Sequence, residues 1–272
     1  MTSINTNVGA LNARASAVRA TTGMEQAMER LSSGRRVNSA ADDAAGLSVA
    51  GKMESQLRGI NMSIRNAQDG VGLIQTAESG VNEIRNMVLR MRELAVQMAN
   101  GIYENTPDRN NAQLEVTALI NQVTLIAENT RFNDVALLDR SFTTVNIQTG
   151  NTTAETIELS FVDMASSGLS IDAVDVGTQT NATSALGTLD SALETIASEQ
   201  ATMGSLINRL NFSINNQSKA SVMTEQAVGR IMDSDFATET TNLSKQQILN
   251  QAATSMLAQA NQSKQSILAL LQ

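Results

Sequence analysis

A stripe of apolar residues runs from Leu57 to Met98 at alternating spacings of three and four residues, with one three-residue slip near Ala77. This spacing places the stripe on one face of an α-helix. Its heptad period is typical of a helix that packs lengthwise against other helices. No other feature constrains the fold as strongly, and it predicts a single long helix over residues 47–100.

The same spacing returns in two later segments, 112–126 and 186–214, and only Gln200 interrupts the second. Pro107 is the one proline, so most of the chain is free to form uninterrupted helix. Aromatic residues make up 2% of the chain, and the aliphatic side chains that dominate instead suit seams between helices. The expected fold class is mainly α, an elongated antiparallel helical bundle or coiled coil.

The segment 131–184 departs from this pattern. Its stretch TVNIQTGNTTAETIELSFV alternates apolar and polar residues on both sides of a Thr-Gly-Asn turn, which predicts a small β-hairpin insert. The Ser-, Thr- and Gly-rich part, 165–184, is expected to form an exposed loop.

Each end of the chain carries one thin apolar stripe, and the other faces of the C-terminal stripe are rich in Gln, Asn, Ser and Thr. Such helices are not stable alone in water, so we expect them to pair as a coiled coil and to contact copies of the chain. The candidate subunit-contact seam consists of Ile4, Val8, Leu11, Val18, Leu249, Met256, Ile267 and Leu270.

The tract LSSGRRVNSAADDAAGLSVAGKM, residues 31–53, crowds Gly, Asp and Arg between two predicted helices. Asp42 and Asp43 suggest a metal site, but no His, Cys or third carboxylate lies nearby, and adjacent side chains diverge. We favour the alternative that both acids cap a helix beginning near Ala44. With Ser33 and Gly34 ending the first helix, residues 34–46 become a connector.

The segment MRELAVQMAN, residues 91–100, places Arg92, Glu93 and Gln97 on the outward side of the seam. Two interpretations remain open: a solvated helix face or a contact surface for another protein. Spacing alone favours the solvated face, since charged residues at such positions are ordinary on helices.

Composition argues against several functions. The chain has no His and no Cys, which removes the commonest general base and metal ligands, so neither catalysis nor a cofactor is expected. A net charge of −8 argues against nucleic acid as a partner, and no apolar run suits membrane insertion. The N-terminus lacks the basic start and apolar block of a Sec-type signal, so any secretion is expected to use another route.

Six long tracts carry a family likeness. In chain order they are SINTNVGAL (3–11), ERLSSGRRVNSAADDAAGLSVAGKM (29–53), RNAQDGVGLIQTAESGVNEI (65–84), RMRELAVQMANG (90–101), RFNDVALLD (131–139) and RIMDSDFATETTNLSKQQILNQAATSMLAQAN (230–261). Together they resemble the bacterial flagellin family over nearly the whole chain.

The resemblance implies two nested layers. Residues 1–33 and 227–272 would form paired terminal helices of an inner tube, and 34–46 would connect them to a helical core of 47–226 in an outer tube. The core would include the insert 131–184. In this arrangement the connector residues Arg35 and Arg36 are candidates for subunit contacts.

The resemblance also implies a function and partners. The chain would be a structural subunit, exported by the flagellar type III apparatus, that polymerises into the flagellar filament for swimming. Its partners would be copies of itself, the flagellar cap and hook-junction proteins, and an export chaperone. A host Toll-like receptor binds flagellins at the region that matches Arg90, Leu94 and Gln97, with Glu115 a looser match. The alternative is a secreted filament-junction or export-tip protein with the same end helices.

Overall fold

The computed structural model describes residues 6–103, 107–142 and 144–269, with side chains through residue 263. Its helices are α1 (Val8–Ser33), α2 (Ala44–Ala99), α3 (Asp108–Asn129), α4 (Gln179–Met232) and α5 (Phe236–Ala269). Its strands are β1 (Arg131–Phe132), β2 (Val135–Ala136), β3 (Val145–Gln148) and β4 (Thr156–Leu159). The predicted mainly α fold with a small hairpin is confirmed.

The long helix predicted over 47–100 is α2, which begins three residues earlier. Its stripe is buried as the heptad spacing predicts: Ile74, Val81 and Val88 are fully buried. Apolar side chains on α3 and α4 meet this stripe, since Val123 and Leu189 belong to the same core cluster. The hydrophobic period therefore identified the buried face of the helices that form this core.

The chain divides into two compact units, Met1–Leu57 with Val222–Gln272, and Arg58–Ser221. Both boundaries fall within helices, α2 and α4. The prediction from sequence instead divides the chain at the connector 34–46.

Within the unit Arg58–Ser221, the strands form two antiparallel ribbons. The ribbon β3–β4 pairs Val145 with Leu159 and is the predicted hairpin. The ribbon β1–β2 was not predicted. Its two-residue turn consists of Asn133 and Asp134, both at positive φ (50° and 64°), a conformation that these two residue types tolerate better than most.

Helix α2 approaches the segment after α3 closely at Gly80. A Cβ at this position would lie 2.6 Å from the Thr130 hydroxyl and 2.8 Å from a methyl group of Leu138. Only a residue without a side chain fits there, so Gly80 sets how tightly this segment packs on the helix.

The prediction of an exposed loop over 165–184 is wrong. Helix α4 begins at Gln179, and the irregular part before it contributes apolar side chains to the core. These buried residues are Leu169, Ile171, Val174 and Val176. Their spacing has neither a helical nor a strand period. The abundance of Ser, Thr and Gly around them therefore led to the prediction of an exposed loop.

The prediction that Gln200 occupies a core-facing heptad position is also wrong. The buried residue is its neighbour Glu199, which is 5% exposed. Gln200 turns aside and donates from Nε2 to Oδ1 of Asn82 at 2.7 Å. The core of this unit thus contains a carboxyl group where the periodicity predicted an amide.

No helix in the described ranges is both long and apolar enough to cross a membrane.

Candidate functional site

The terminal helices α1 and α5 pack against each other along a seam of small residues. Ala20 and Ala27 of α1 and Ala253 of α5 are buried. A Cβ at Gly23 would come within 2.9 Å of the Gln246 side chain, so the two backbones lie close together there. Small side chains permit this approach, and the pair packs without large residues at these positions.

Three polar contacts show that the two helices run antiparallel. Asn7 donates to the Ala260 carbonyl at 3.1 Å, Asn250 donates to the Thr21 hydroxyl at 2.8 Å, and Arg30 donates to Glu239 at 3.2 Å. Each contact lies further along α1 and earlier on α5 than the one before. These directional bonds define the register, which a smooth alanine seam would not define alone.

The Arg30–Glu239 pair is the least solvated of these contacts. The Glu239 side chain is 8% exposed and that of Arg30 is 25% exposed. The second carboxylate oxygen, Oε2, accepts from Asn242 Nδ2 at 3.4 Å. Within the described part of the chain, Nε of Arg30 is buried without a hydrogen-bond partner.

The large apolar residues predicted for the terminal seam lie elsewhere. Val8, Leu11 and Val18 are 57%, 55% and 58% exposed, and Leu249 and Met256 are 46% and 64% exposed. They do not pack between α1 and α5, where alanines occupy the contact instead. A role in contacts between copies of the chain stays a prediction. Ile4 and Leu270 lie outside the described residues, as does the side chain of Ile267.

Gly34 ends α1, as predicted, in the left-handed conformation (φ 68°). Just beyond it the chain pairs with the segment that joins α4 to α5. The Arg36 N–H donates to the Met232 carbonyl at 2.6 Å, and the Ser234 N–H donates to the Gly34 carbonyl at 3.0 Å. The connector is therefore fastened by its backbone within its own unit.

The two connector arginines differ in their contacts. Arg36 donates from Nη2 to the Ile231 carbonyl at 2.6 Å, so its guanidinium helps to fasten the same junction. Arg35 lies 4.0 Å from Glu54, and its side chain is 53% exposed. Arg35 thus makes the looser side-chain contact of the two.

Asp42 and Asp43, the two acidic residues of the connector, have different hydrogen-bond partners. Asp43 accepts from the Gly46 N–H at 2.8 Å, which confirms it as a cap of α2. Asp42 does not cap that helix, so this part of the prediction is wrong. It accepts from the N–H groups of Ser39 and Asn38, and these bonds, that of Ser39 foremost, lower the pKa of the Asp42 carboxyl. Among the described residues, no three His, Cys, Asp or Glu side chains are grouped to hold a metal ion.

Arg90 forms the centre of a surface charge cluster in the other unit. Its Nε donates to Glu115 of α3 at 2.9 Å and its Nη1 donates to Glu93 at 3.2 Å. The hydrogen bond that Arg90 donates to Glu115, followed by the one it donates to Glu93, raises the pKa of Arg90. A second exposed ion pair, Arg92–Asp190 at 2.6 Å, links α2 to α4.

The candidate receptor residues separate into two groups. Arg90, Glu115 and Gln97 are exposed, and Gln97 donates to the Tyr103 hydroxyl at 3.3 Å. Leu94 is only 4% exposed and belongs to the core cluster. Leu94 therefore packs beneath this surface, and its side chain is not accessible to a receptor.

The Arg30–Glu239 pair was missed from the sequence. The residue numbers alone could have predicted it. If α1 ends near residue 33 and α5 begins near 236, antiparallel pairing aligns residues whose numbers sum to about 269, as 30 and 239 do. Opposite charges at aligned positions then mark a candidate cross-helix contact.

Comparisons with known proteins agree with this architecture. Residues 4–143 match the bacterial flagellin N-terminal helical region, and residues 186–271 match the bacterial flagellin C-terminal helical region. A flagellin of Halalkalibacterium halodurans is 41% identical over 98% of this chain and 99% of that protein. The flagellar filament 33 kDa core protein of Treponema phagedenis is 37% identical with the same shares covered.

Solved structures show the same fold. The crystal structure of Bacillus cereus flagellin superposes with a TM-score of 0.52 at 30% identity, over 56% of this chain and 88% of that one. A putative flagellar hook-associated protein from Vibrio parahaemolyticus, at 13% identity, shares the fold alone (TM-score 0.57, 71% of this chain and all of that one). The two family regions and the near full-length relatives show that the chain belongs to the bacterial flagellin family.

Proposed function

We propose that this chain is the structural subunit of a secreted bacterial flagellar filament, polymerised from many copies for swimming motility. Its membership of the flagellin family and the names of its relatives support this role. The observation that carries the proposal is the exposed apolar stripe on α1 and α5. These two helices pair through small residues and leave their large apolar side chains free for neighbours.

Covering this stripe favours assembly. Burying a Val, Leu or Met side chain fully is worth about 1.5–3 kcal/mol, so covering one that is half exposed contributes about 1 kcal/mol. Val8, Leu11, Val18, Leu249 and Met256 thus supply several kcal/mol per subunit when neighbouring copies cover them. Each subunit of a helical polymer contacts several neighbours, which repeats this gain along the polymer.

The remaining faces of α5 fit an inner tube. Between Ser244 and Ser263 their exposed polar residues are mainly Gln, Asn, Ser and Thr, and Lys245 is the one charged residue of that stretch. Such a nearly neutral, hydrophilic surface suits the wall of a channel through which unfolded subunits pass, since it binds charged and apolar side chains only weakly.

The test is a charge placed on the stripe. Leu11→Asp puts a carboxylate where a neighbour's apolar surface would lie, and we expect the pure protein to lose the ability to form filaments, as judged by pelleting and electron microscopy. Ser16→Asp is the matched control, because Ser16 is also exposed on α1 but lies on another face. Normal filaments from Leu11→Asp would refute the proposed contact.

We propose the remaining partners from the family resemblance. The filament would contact hook-junction proteins at its base and the flagellar cap at its tip, through the same terminal helices that bind further copies. The export chaperone would bind the chain before assembly. A purely structural role also accounts for a composition without His or Cys, and no catalytic step is proposed.

We propose that the host Toll-like receptor recognises the surface formed by Arg90, Glu115 and Gln97. All three are exposed, and the Arg90–Glu115 ion pair joins α2 to α3 in one patch. Arg90→Ala with Glu115→Ala is expected to abolish activation of receptor-bearing cells by purified monomer. Arg85→Ala, an exposed arginine on the same helix, is the control. Unchanged activation by the double variant would exclude this surface.

The alternative, a filament-junction or export-tip protein, has only the likeness of fold in its favour. The two functions differ in a direct observation. Pure subunit protein forms long filaments under the electron microscope, whereas a junction protein stays monomeric or forms short oligomers.

A further inference from the structure

The turn that follows α2 holds the one Asn-Gly dipeptide of the chain, Asn100-Gly101. In such a dipeptide the Gly nitrogen can attack the Asn side-chain carbonyl, because glycine has no side chain to obstruct the attack. We propose that this site is built for self-conversion of Asn100 to aspartate and isoaspartate, a modification that depends on the neighbouring residues Arg109 and Ile102.

The electrophile is held in position. The Ile102 N–H donates to Oδ1 of Asn100 at 3.2 Å. This bond closes a ring that contains both the Asn100 Cγ and the Gly101 nitrogen, so the two reacting atoms stay on the same side of the turn. It also draws electron density from the carboxamide carbonyl, and it stabilises the negative charge that develops on Oδ1 during attack.

The nucleophile is activated by a buried cation. Arg109 is 1% exposed, and its Nη2 donates to the main-chain carbonyl of Asn100 at 3.0 Å. That carbonyl belongs to the peptide group whose nitrogen is the nucleophile, and a deprotonated peptide shares its charge between nitrogen and oxygen. A guanidinium on the oxygen therefore makes the Gly101 N–H easier to deprotonate.

Arg109 is firmly placed for this role. Its guanidinium also donates to the carbonyl of Met98 and to that of Tyr103, so it links the last turn of α2 to the residues that follow it. Within the described part of the chain, the Gly101 N–H has no acceptor that would have to be given up first. Asn100, Gly101 and Ile102 are exposed, so water reaches the product.

The step balances without a further reagent except water. The Gly101 nitrogen loses its proton and forms a bond to Cγ of Asn100, and the side-chain nitrogen leaves as ammonia. The resulting five-membered imide is opened by water at either carbonyl, which gives aspartate or isoaspartate. One negative charge is added at the C-terminal end of α2, where the helix dipole is also negative, and Arg109 lies close enough to offset it.

The test follows Asn100 in the whole chain during incubation at mildly alkaline pH. Peptide mass spectrometry detects the exchange of the amide for a carboxyl, and hydroxylamine cleaves the chain between residues 100 and 101 where the imide has formed. We expect Asn100 to convert faster in the native chain than in the same chain unfolded in urea. A native rate equal to or below the unfolded rate overturns the proposal, since the turn then gives no assistance.

Two substitutions distinguish the effect of the Asn-Gly dipeptide itself from that of the residues around it. Gly101→Ala is sterically tolerated, because the nearest atom to an added Cβ is Gln179 Nε2 at 3.4 Å, and it is expected to slow conversion about tenfold. Arg109→Lys keeps a cation in the turn but loses the fork that reaches three carbonyls, and it is expected to lower the native rate to the unfolded one. Circular dichroism checks that each variant is folded. A folded Arg109→Lys chain that converts at the native rate removes Arg109 from the mechanism.

Discussion

Arg30 of α1 and Glu239 of α5 form an ion pair at 3.2 Å, although 209 residues separate them in the sequence. The pair lies near the end of an alanine-rich seam and is the one place along it where opposite charges meet away from bulk water among the described residues. Because Glu239 is almost fully enclosed, breaking the pair costs more than breaking an ordinary surface contact.

Glu239→Ala is therefore expected to loosen α1 from α5. The substitution leaves the Arg30 guanidinium partly buried without its acceptor, at a cost of about 2 kcal/mol. Hydrogen exchange of the amides in both helices should accelerate about 30-fold, the factor that matches this free energy. Glu25→Ala, at an exposed acid of α1, is the control and should leave exchange unchanged. Equal protection in both variants would show that the pair does not stabilise the seam.

Enlarging the seam is predicted to separate the helices. Ala27→Leu forces a large side chain between two closely spaced backbones, which costs about 1–3 kcal/mol. The measurement is the thermal midpoint of helix loss by circular dichroism, together with filament yield. Ser16→Leu places a leucine at an exposed position of α1 on another face than the apolar stripe, and it should leave both quantities near their original values. A midpoint unchanged by Ala27→Leu contradicts close packing at this position.

Glu199 predicts a pH dependence of stability. Burial raises the pKa of its carboxyl above the ordinary 4.5, opposed by a hydrogen bond from the Val162 N–H, and within the described residues its Oε1 has no partner. The folded chain therefore holds this proton more tightly than the unfolded chain. The resulting stabilisation is complete below the ordinary pKa and is lost as the pH rises through the folded pKa.

Glu199→Gln keeps the group uncharged at every pH. Its urea midpoint is expected to exceed that of the original chain at neutral pH, and the difference should shrink as the pH falls toward 4.5. Glu194→Gln, at an exposed acid of the same helix, should show no such trend. A constant difference between the Glu199→Gln and original chains across the pH range would contradict a titrating Glu199.

The two connector acids should differ in their effect on α2. Asp43→Ala removes the cap of that helix at a cost of about 1 kcal/mol, seen as faster amide exchange in its first turn. Asp42→Ala breaks the turn at Ser39 and Asn38 instead, so its effect should appear in the amides of the connector. The same exchange pattern in both variants would show that the acids do not act separately.

The helices of the core could be predicted from the sequence because heptad spacing indicates which helix face is buried, as Val81 and Leu189 show. The segment before α4 was not readable, since Ile171 and Val176 are buried without any period. The contact between the terminal helices was missed for a different reason. The sequence pattern marked large apolar side chains such as Leu11 and Met256, but periodicity cannot tell a contact within the chain from a contact with another copy, and it gave no sign of the alanines that pair α1 with α5.

The backbone pairing of Gly34 and Arg36 with Met232 and Ser234 also concerns the order in which the protein folds. The Arg36–Ile231 contact spans 195 residues, so the unit that contains both chain ends has contacts of very long sequence separation. Such contacts require closure of a large loop before they stabilise anything, whereas the unit Arg58–Ser221 is one continuous stretch. A chain that emerges from its N-terminus therefore completes its middle first, and α1 can pair with α5 only after Phe236–Ala269 has emerged.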